Sequence, residues 1–364
     1  MNKKTSEYLD MVRLKTGLSD YKIAKQYDIN QSNLSKYSSG KAALSETHAW
    51  LFANILDLDP AEVVAFTKHE HALNTNNKTK AKFWQEQLNK ILADTQPIKI
   101  QIAQFHSVVG DISNNAKQIL DLSLEAYNLG AHLIVFPELA LTGYPPEDLL
   151  LRSGFIKQVE LHIDELCKLL PASLVVLFGA PSASSDTLFN SAYCIHKNKI
   201  AHLYHKQSLP NYGVFDENRY FTAGDKTLVF EHQGRRIGVL ICEDAWVGDP
   251  LQRTCELNAD LIISLNASPF QSGKFQQRLD LYRKHSLEHS IELLYVNAVG
   301  GQDELVFDGG SFLMNTKGSI VQQLPFFEDC QVLHTRPCDR TELSETALIY
   351  KALVLATKIG RAHV

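Results

Sequence analysis

Cys242, Glu138 and Lys206 are three residues of this 364-residue chain whose types suit covalent chemistry when combined. A free thiol, with a pKa near ~8.5, is mostly protonated at neutral pH and needs a base or a cation beside it. A partly buried glutamate can take the thiol proton. A lysine ammonium can stabilise the thiolate and then a tetrahedral oxyanion, and backbone N–H groups at the turn after Cys242 would complete the oxyanion hole. The set describes carbon–nitrogen bond cleavage. The thiolate attacks an acyl carbon, ammonia leaves with a proton returned by Glu138, and water activated by Glu138 clears the thioester. Taken singly, each residue has a blander reading: a strand-end surface acid, a solvated lysine, a small buried hydrophobe. Position sets them apart.

Each follows an apolar run: Glu138 after HLIVF and Pro137, Lys206 after IAHLYH, Cys242 after RIGVLI. In open α/β sheets the reactive crevice lies beyond the carboxyl ends of strands. From Ile98 onward, short apolar runs alternate with helical stretches. IKIQIAQF, HLIVF, SLVVLFG, YCIHK, IAHLYHK, RIGVLIC, DLIISLNAS, ELLYVNA and GSFLMN are interleaved with helices near 114–129, 153–170, 249–258 and 274–289. That order predicts an α/β fold with a largely buried sheet. AHLIVFPE and ADLIISLNA share what two helix-to-buried-strand junctions would share.

The front of the chain has a different texture. Residues 1–68 read as a small all-α unit. The stretch Asp20 to Tyr37 sets two short helices around a tight turn, the helix-turn-helix pattern. Ala24 permits a close helix crossing, and Ile29 and Leu34 fill the joint. Gln31, Ser32, Asn33, Ser35 and Lys36 form an exposed face of types that hydrogen-bond base edges or phosphates. Residues 1–45 carry eight Lys/Arg against four Asp/Glu, a modest excess suited to phosphate contact. Residues 69–97 read as a polar linker holding a short amphipathic helix built on Phe83, Trp84, Leu88, Ile91 and Leu92. The first segment resembles small repressor domains of the lambda-repressor and Cro type, which implies DNA as a partner of residues 1–68.

The words around the three reactive residues carry a second resemblance. VFPELALTGYPPEDLL (135–150), HKQSLPNYGVFDENRYFTAG (205–224), GVLICEDAW (238–246), NASPFQSGK (266–274) and VGGQDELVFDGGS (299–311) stand in order. They resemble the glutaminase domain of glutamine-dependent NAD synthetases, within the nitrilase superfamily of carbon–nitrogen hydrolases. The resemblance implies an α-β-β-α sandwich over 98–335, a homo-oligomer paired sheet to sheet, and a Glu138–Lys206–Cys242 triad. It also implies glutamine as substrate, contacted by Tyr144, Tyr212, Phe215, Glu243, Ser268 and Lys274, with Glu217 as a supporting acid. Arg278 competes with Lys274 for the substrate carboxylate. The ammonia would serve NAD synthesis from nicotinic acid adenine dinucleotide.

Family enzymes carry a second domain with an SGGxDS-type loop, which uses ATP and Mg; no such word occurs here. TELSETALIYKALVLATK (341–358) resembles the first helix of that domain, so 336–364 reads as its truncated start, and IGRAHV has the look of a translated adapter. No cofactor is expected for the glutaminase part. His69 with His71, and His202 with His205, lack a further ligand at sensible spacing, so no metal is expected either. The chain is 45% hydrophobic and 21% charged, with net charge −5, which excludes a general polyanion binder. No apolar run reaches the ~18–20 residues of a membrane span, no signal-peptide core opens the chain, and the six scattered cysteines do not read as a disulfide framework. A cytoplasmic enzyme is expected. The alternatives are a free-standing carbon–nitrogen hydrolase and a DNA-binding regulator with an amidase-like sensor.

Overall fold

Helices α1 (Thr5–Thr16), α2 (Asp20–Gln26), α3 (Gln31–Ser38), α4 (Glu46–Leu56), α5 (Pro60–Asn74) and α6 (Lys78–Thr95) build the first of two units, Met1–Pro97. The computed structural model describes residues 4–56, 58–95, 98–185, 187–334 and 343–362. Local signals set these helix ends. Gly17 closes α1 in a left-handed conformation, and Asp59 caps α5 ahead of Pro60. Four residues, 27–30, join α2 to α3, and the Asn30 side chain accepts from Ser32 N. Ile23, Ile29 and Leu34 are buried at the joint with Ala24 packed against them. Gln31, Ser32, Ser35 and Lys36 are exposed and Asn33 partly so.

The segment expected to be a linker is not one. α5 runs through residue 68 to Asn74, and α6 packs along it. Leu88 is fully buried among Tyr8, Phe52 and Phe66, with Trp84 against the same core, while Phe83 is half exposed. The side chains of Ile91 and Leu92 lie outside the described residues. Polar composition misled here because α6 buries one stripe only.

The second unit, Ile98–Val364, opens with β1 (Ile100–Gln104), α7 (Ile112–Asn128), β2 (Leu133–Val135), α8 (Ser153–Leu169), β3 (Val175–Ser184), β4 (Thr187–His196) and β5 (Lys199–His205). It continues with β6 (Leu228–His232), β7 (Arg235–Ile241), α9 (Asp249–Glu256), β8 (Leu261–Asn266), α10 (Lys274–His289) and β9 (Glu292–Asn297). It ends with β10 (Val299–Gln302), β11 (Leu305–Asp308), β12 (Phe312–Met314), β13 (Ile320–Gln323), β14 (Cys330–Leu333) and α11 (Glu345–Ala362).

Two six-stranded sheets form, ordered β14-β1-β2-β3-β4-β5 and β13-β12-β9-β8-β7-β6. Each has three parallel strands at its heart: β1, β2 and β3 in one, β7, β8 and β9 in the other. Alternation along the strands explains the layers. Ile100, Ile102, Leu133, Val135, Val175 and Leu177 share one core with Ile237, Val239, Leu261, Ile263 and Leu265 of the other sheet. Ala103, Ile134, Phe136, Val176 and Phe178 point the opposite way, onto Ile119 of α7 and Ile163 of α8. Helices α9 and α10 cover the second sheet. The result is the expected α-β-β-α sandwich, with strands apolar on both faces. α11, the helix anticipated at 341–358, packs on the β10–β11 hairpin. Residues 335–342, across the expected boundary at 335/336, lie outside the described residues. Among the described residues no helix is long and apolar enough to cross a membrane.

Leu88→Ala tests the place of α6. It should destabilise the helical unit by about 2–5 kcal/mol, read as a lowered urea midpoint of that unit's unfolding. A change below about 0.5 kcal/mol would put α6 outside the core.

Candidate active site

The three reactive residues leave strand ends on one edge of the sandwich. Glu138 comes three residues after β2, Lys206 immediately after β5, and Cys242 immediately after β7. β5 runs parallel to β2, because both its neighbour β4 and the β3–β4 pairing are antiparallel. Gly179 in β3 lets the Glu138 segment cross close by. Its N–H donates to Pro137 O and its carbonyl accepts from Leu141 N, both at 3.1 Å, and a Cβ there would collide with the backbone nitrogen of Leu139.

Glu138 is 1% exposed yet well supplied with donors. Its Oε1 accepts from Lys206 Nζ at 2.7 Å and Asn190 Nδ2 at 2.8 Å, and its Oε2 from Ala267 N at 3.0 Å. Lys206, equally buried, also donates to Glu217 Oε1 at 2.8 Å. Tyr144 OH donates to that same oxygen at 3.0 Å, while Glu217 Oε2 has no partner among the described residues. Burial, reinforced by the charge of Glu138, pushes Glu217 up to about 7 against the pull of Lys206.

Cys242 opens a 3-10 turn, Cys242–Ala245, with φ at 44°, a left-handed conformation that a non-glycine residue adopts at a cost of about 1–3 kcal/mol. Burial and the charge of Glu138 push its thiol well above the ordinary cysteine range, and Lys206 only partly offsets them. This setting favours the thiol over the thiolate.

A cavity of about 420 Å³ opens at Cys242, and Tyr212, Phe215, Glu243, Ser268 and Lys274 all lie on its wall. Tyr212 OH donates to Glu243 Oε2 at 3.0 Å. Lys274 Nζ sits 4.0 Å from the centre of the Trp246 ring. Tyr144 lines an adjoining cavity of about 180 Å³ with Glu217, and Phe215 lies on the wall of both; the Tyr144 phenol donates to Glu217. One expectation changes. Arg278 is no rival for a substrate carboxylate. It is fully buried and paired with both Asp308 oxygens at 2.8 Å, and it also donates to Ser268 O at 3.0 Å.

Residues 99–346 match the carbon–nitrogen hydrolase family. The chain belongs to that family. This hydrolase is 38% identical over 270 residues to the glutamine-dependent NAD(+) synthetase of Acinetobacter baylyi, covering 71% of this chain and 50% of that protein. It is 38% identical over 234 residues to the Aquifex aeolicus protein of the same name, covering 64% and 41%. The structure of the glutamine-dependent NAD+ synthetase from Acinetobacter baumannii, complexed with ADP, aligns with a TM-score of 0.69 at 37% identity, covering 71% of this chain and 51% of that one. An amidase from Nesterenkonia AN1 shares the fold at 21% identity, TM-score 0.58, covering 65% and 89%. The chain spans about half the length of the curated relatives it matches.

Sequence reasoning missed the residues that hold this hydrolase's site together. Asp244, fully buried, accepts from Ile241 N, Gln207 N, Ser208 N and Tyr204 OH at 2.8–3.0 Å. It thereby ties the Cys242 turn to the strand end that carries Lys206. Its place beside Cys242 in CEDAW was the available signal. Asn190, on β4, had none.

The shared Lys206 gives a pH prediction. As pH rises through about 7, Glu217 loses its proton and draws the shared Lys206 ammonium toward itself, loosening its hold on Glu138. The kcat/KM profile of the wild type should rise to a plateau above that pH. In Glu217→Gln the limb near 7 should vanish, and a limb that stays put would assign it to another group.

Proposed function

We propose that this hydrolase cleaves the side-chain amide of glutamine through Cys242. The observation that carries the reading is the wall of the Cys242 cavity, where an acid, Glu243, and an ammonium, Lys274, flank the thiol. That pair suits the α-ammonium and α-carboxylate of an amino acid whose side-chain amide reaches the sulfur. Glu138 takes the thiol proton as sulfur attacks. Lys206 then faces the developing oxyanion. Glu138 returns the proton to the departing ammonia and later draws one from the water that releases glutamate. Tyr212, Phe215 and Ser268 shape the remaining wall.

The name of the relatives supports assigning the ammonia to completion of NAD from nicotinic acid adenine dinucleotide. ATP and Mg belong, on this reading, to a synthetase part, and no residue of 98–335 is proposed to hold them. A homo-oligomer in the cytoplasm is the proposed setting.

Ammonia release from glutamine tests the site. Cys242→Ala should lower it by at least about 10³-fold, and equal rates in both proteins would remove the catalytic assignment. Lys274→Ala should raise KM for glutamine by about 10–100-fold, the worth of a charge-assisted contact, with a smaller effect on an amide that lacks the α-carboxylate.

A second activity is proposed for residues 1–68: DNA binding by a helix-turn-helix, with α3 laid in the major groove. The exposed row Gln31, Ser32, Ser35 and Lys36 favours it. A mobility-shift measurement with the whole chain should show binding that weakens steeply with salt and weakens further in Lys36→Ala. Absence of binding at low salt would end this reading.

A further inference from the structure

The last turn of α10 carries His285, Glu288 and His289, spaced so that all three reach one side of the helix. One ligating atom from each lies within 4.8 Å of the others. Glu288 and His289 are exposed, whereas His285 is 7% exposed. His285 Nε2 meets the carbonyl oxygen of Ala245 at 3.0 Å. A carbonyl only accepts, so Nε2 carries the hydrogen and, in the neutral ring, Nδ1 presents a bare lone pair. Nδ1 is buried and has no hydrogen-bond partner among the described residues. Most buried polar side-chain atoms have a partner, and this ring has one for Nε2 alone. The arrangement is also how metal-ligating imidazoles are fixed, with one nitrogen donated to a backbone carbonyl and the other turned to the ion.

We propose that His285 Nδ1, the Glu288 carboxylate and the His289 ring hold a divalent transition-metal ion of the zinc class, with water at a fourth position. Two imidazoles and a carboxylate are a donor set that zinc takes readily, with bonds of about 2.0–2.2 Å. Such bonds put ligand atoms about 3.3 Å apart, so the trio must draw together, and the two exposed side chains are free to do so. The His285 and His289 rings are stacked at 26° between planes, so the exposed His289 ring turns a nitrogen toward Nδ1 of His285 when an ion binds. The competing charge is Lys284, whose Nζ lies 3.9 Å from Glu288 with both groups exposed, a pair too weak to hold the carboxylate back. This revises the expectation of no metal, which weighed only His69 with His71 and His202 with His205.

The position gives the ion a route to the catalytic turn. Ala245 ends the Cys242–Ala245 turn. An ion on Nδ1 makes Nε2–H a stronger donor to that carbonyl, so occupancy tightens the backbone that presents the nucleophile. The proposal does not depend on glutamine being the substrate.

The test uses the whole chain carrying Cys242→Ala, which removes the active-site sulfur as a rival ligand. Co²⁺ is titrated by its visible absorption and displaced by Zn²⁺, then the titration is repeated with His289→Ala and with Glu288→Gln added. One ion per chain is expected, weakened at least about tenfold by either addition. His289 is exposed, so its loss leaves the fold intact, which circular dichroism checks. No saturable ion up to millimolar Zn²⁺, or an ion bound equally well without His289, overturns the site.

Discussion

Lys206 Nζ donates to Glu138 at 2.7 Å and to Glu217 at 2.8 Å, with all three groups removed from water. The rest of the site depends on this arrangement. A buried charge is tolerated only when paired and hydrogen-bonded, and deleting one partner costs several kcal/mol because the other is stranded. One ammonium cannot neutralise two carboxylates, however. The acid with the fewest donors is the one that holds a proton most readily. Glu138 has three donors distributed over both oxygens. Glu217 receives both of its donors, Lys206 and Tyr144, on Oε1. Its Oε2 is without a partner among the described residues, so Oε2 is where a proton resides when Glu217 is neutral. The network is thus built asymmetrically: one carboxylate is kept ready to act as base, and the other takes up a proton in place of the surplus charge.

That asymmetry needs both sheets. Lys206 and Glu138 come from the first sheet, and Cys242 from the second. Two clamps cross between them. Ala267, following β8, donates its N–H to Glu138 Oε2. Asp244, following Cys242, takes the N–H groups of Gln207 and Ser208 just beyond Lys206. β2 and β8 are the middle strands of the two parallel triplets. The similar words AHLIVFPE and ADLIISLNA therefore mark equivalent places, and the end of one returns to position the base at the end of the other.

How much of this was legible in the sequence follows from what is local. The apolar runs and the polar residue after each gave the strands, the edge they share, and Glu138, Lys206 and Cys242. The helix expected at 274–289 has those bounds. Sheet order and the stacking of one sheet on the other depend on contacts between distant segments, so residues whose role is to bridge distant segments were silent. Asp244 reads as one acid in a charged word, and Asn190 as a polar residue in a strand. Arg278 read as a substrate ligand because spacing along α10 cannot reveal that Asp308, 30 residues on, has claimed it. α6 was taken for linker because a helix with one buried stripe has a polar average.

Backbone strain completes the argument about the nucleophile. Leu139, next to the base, and Cys242 both have φ between 40° and 50°, at 47° and 44°. Neither is glycine, so each position costs free energy that its surroundings must supply. At Leu139 the supply is the crossing over Gly179, where two backbone hydrogen bonds bracket the bend. At Cys242 it is Asp244, which accepts from Ile241 N on the near side of the turn while anchored to Gln207 and Ser208 on the far side. Relaxing either residue to negative φ would swing the following chain away and uncouple the base from the thiol. The reactive pair is therefore held together by non-local restraint at both ends, and local propensity opposes it. This is why the arrangement requires two facing sheets, and why a buried acid that touches no substrate is as necessary to it as the residues that do.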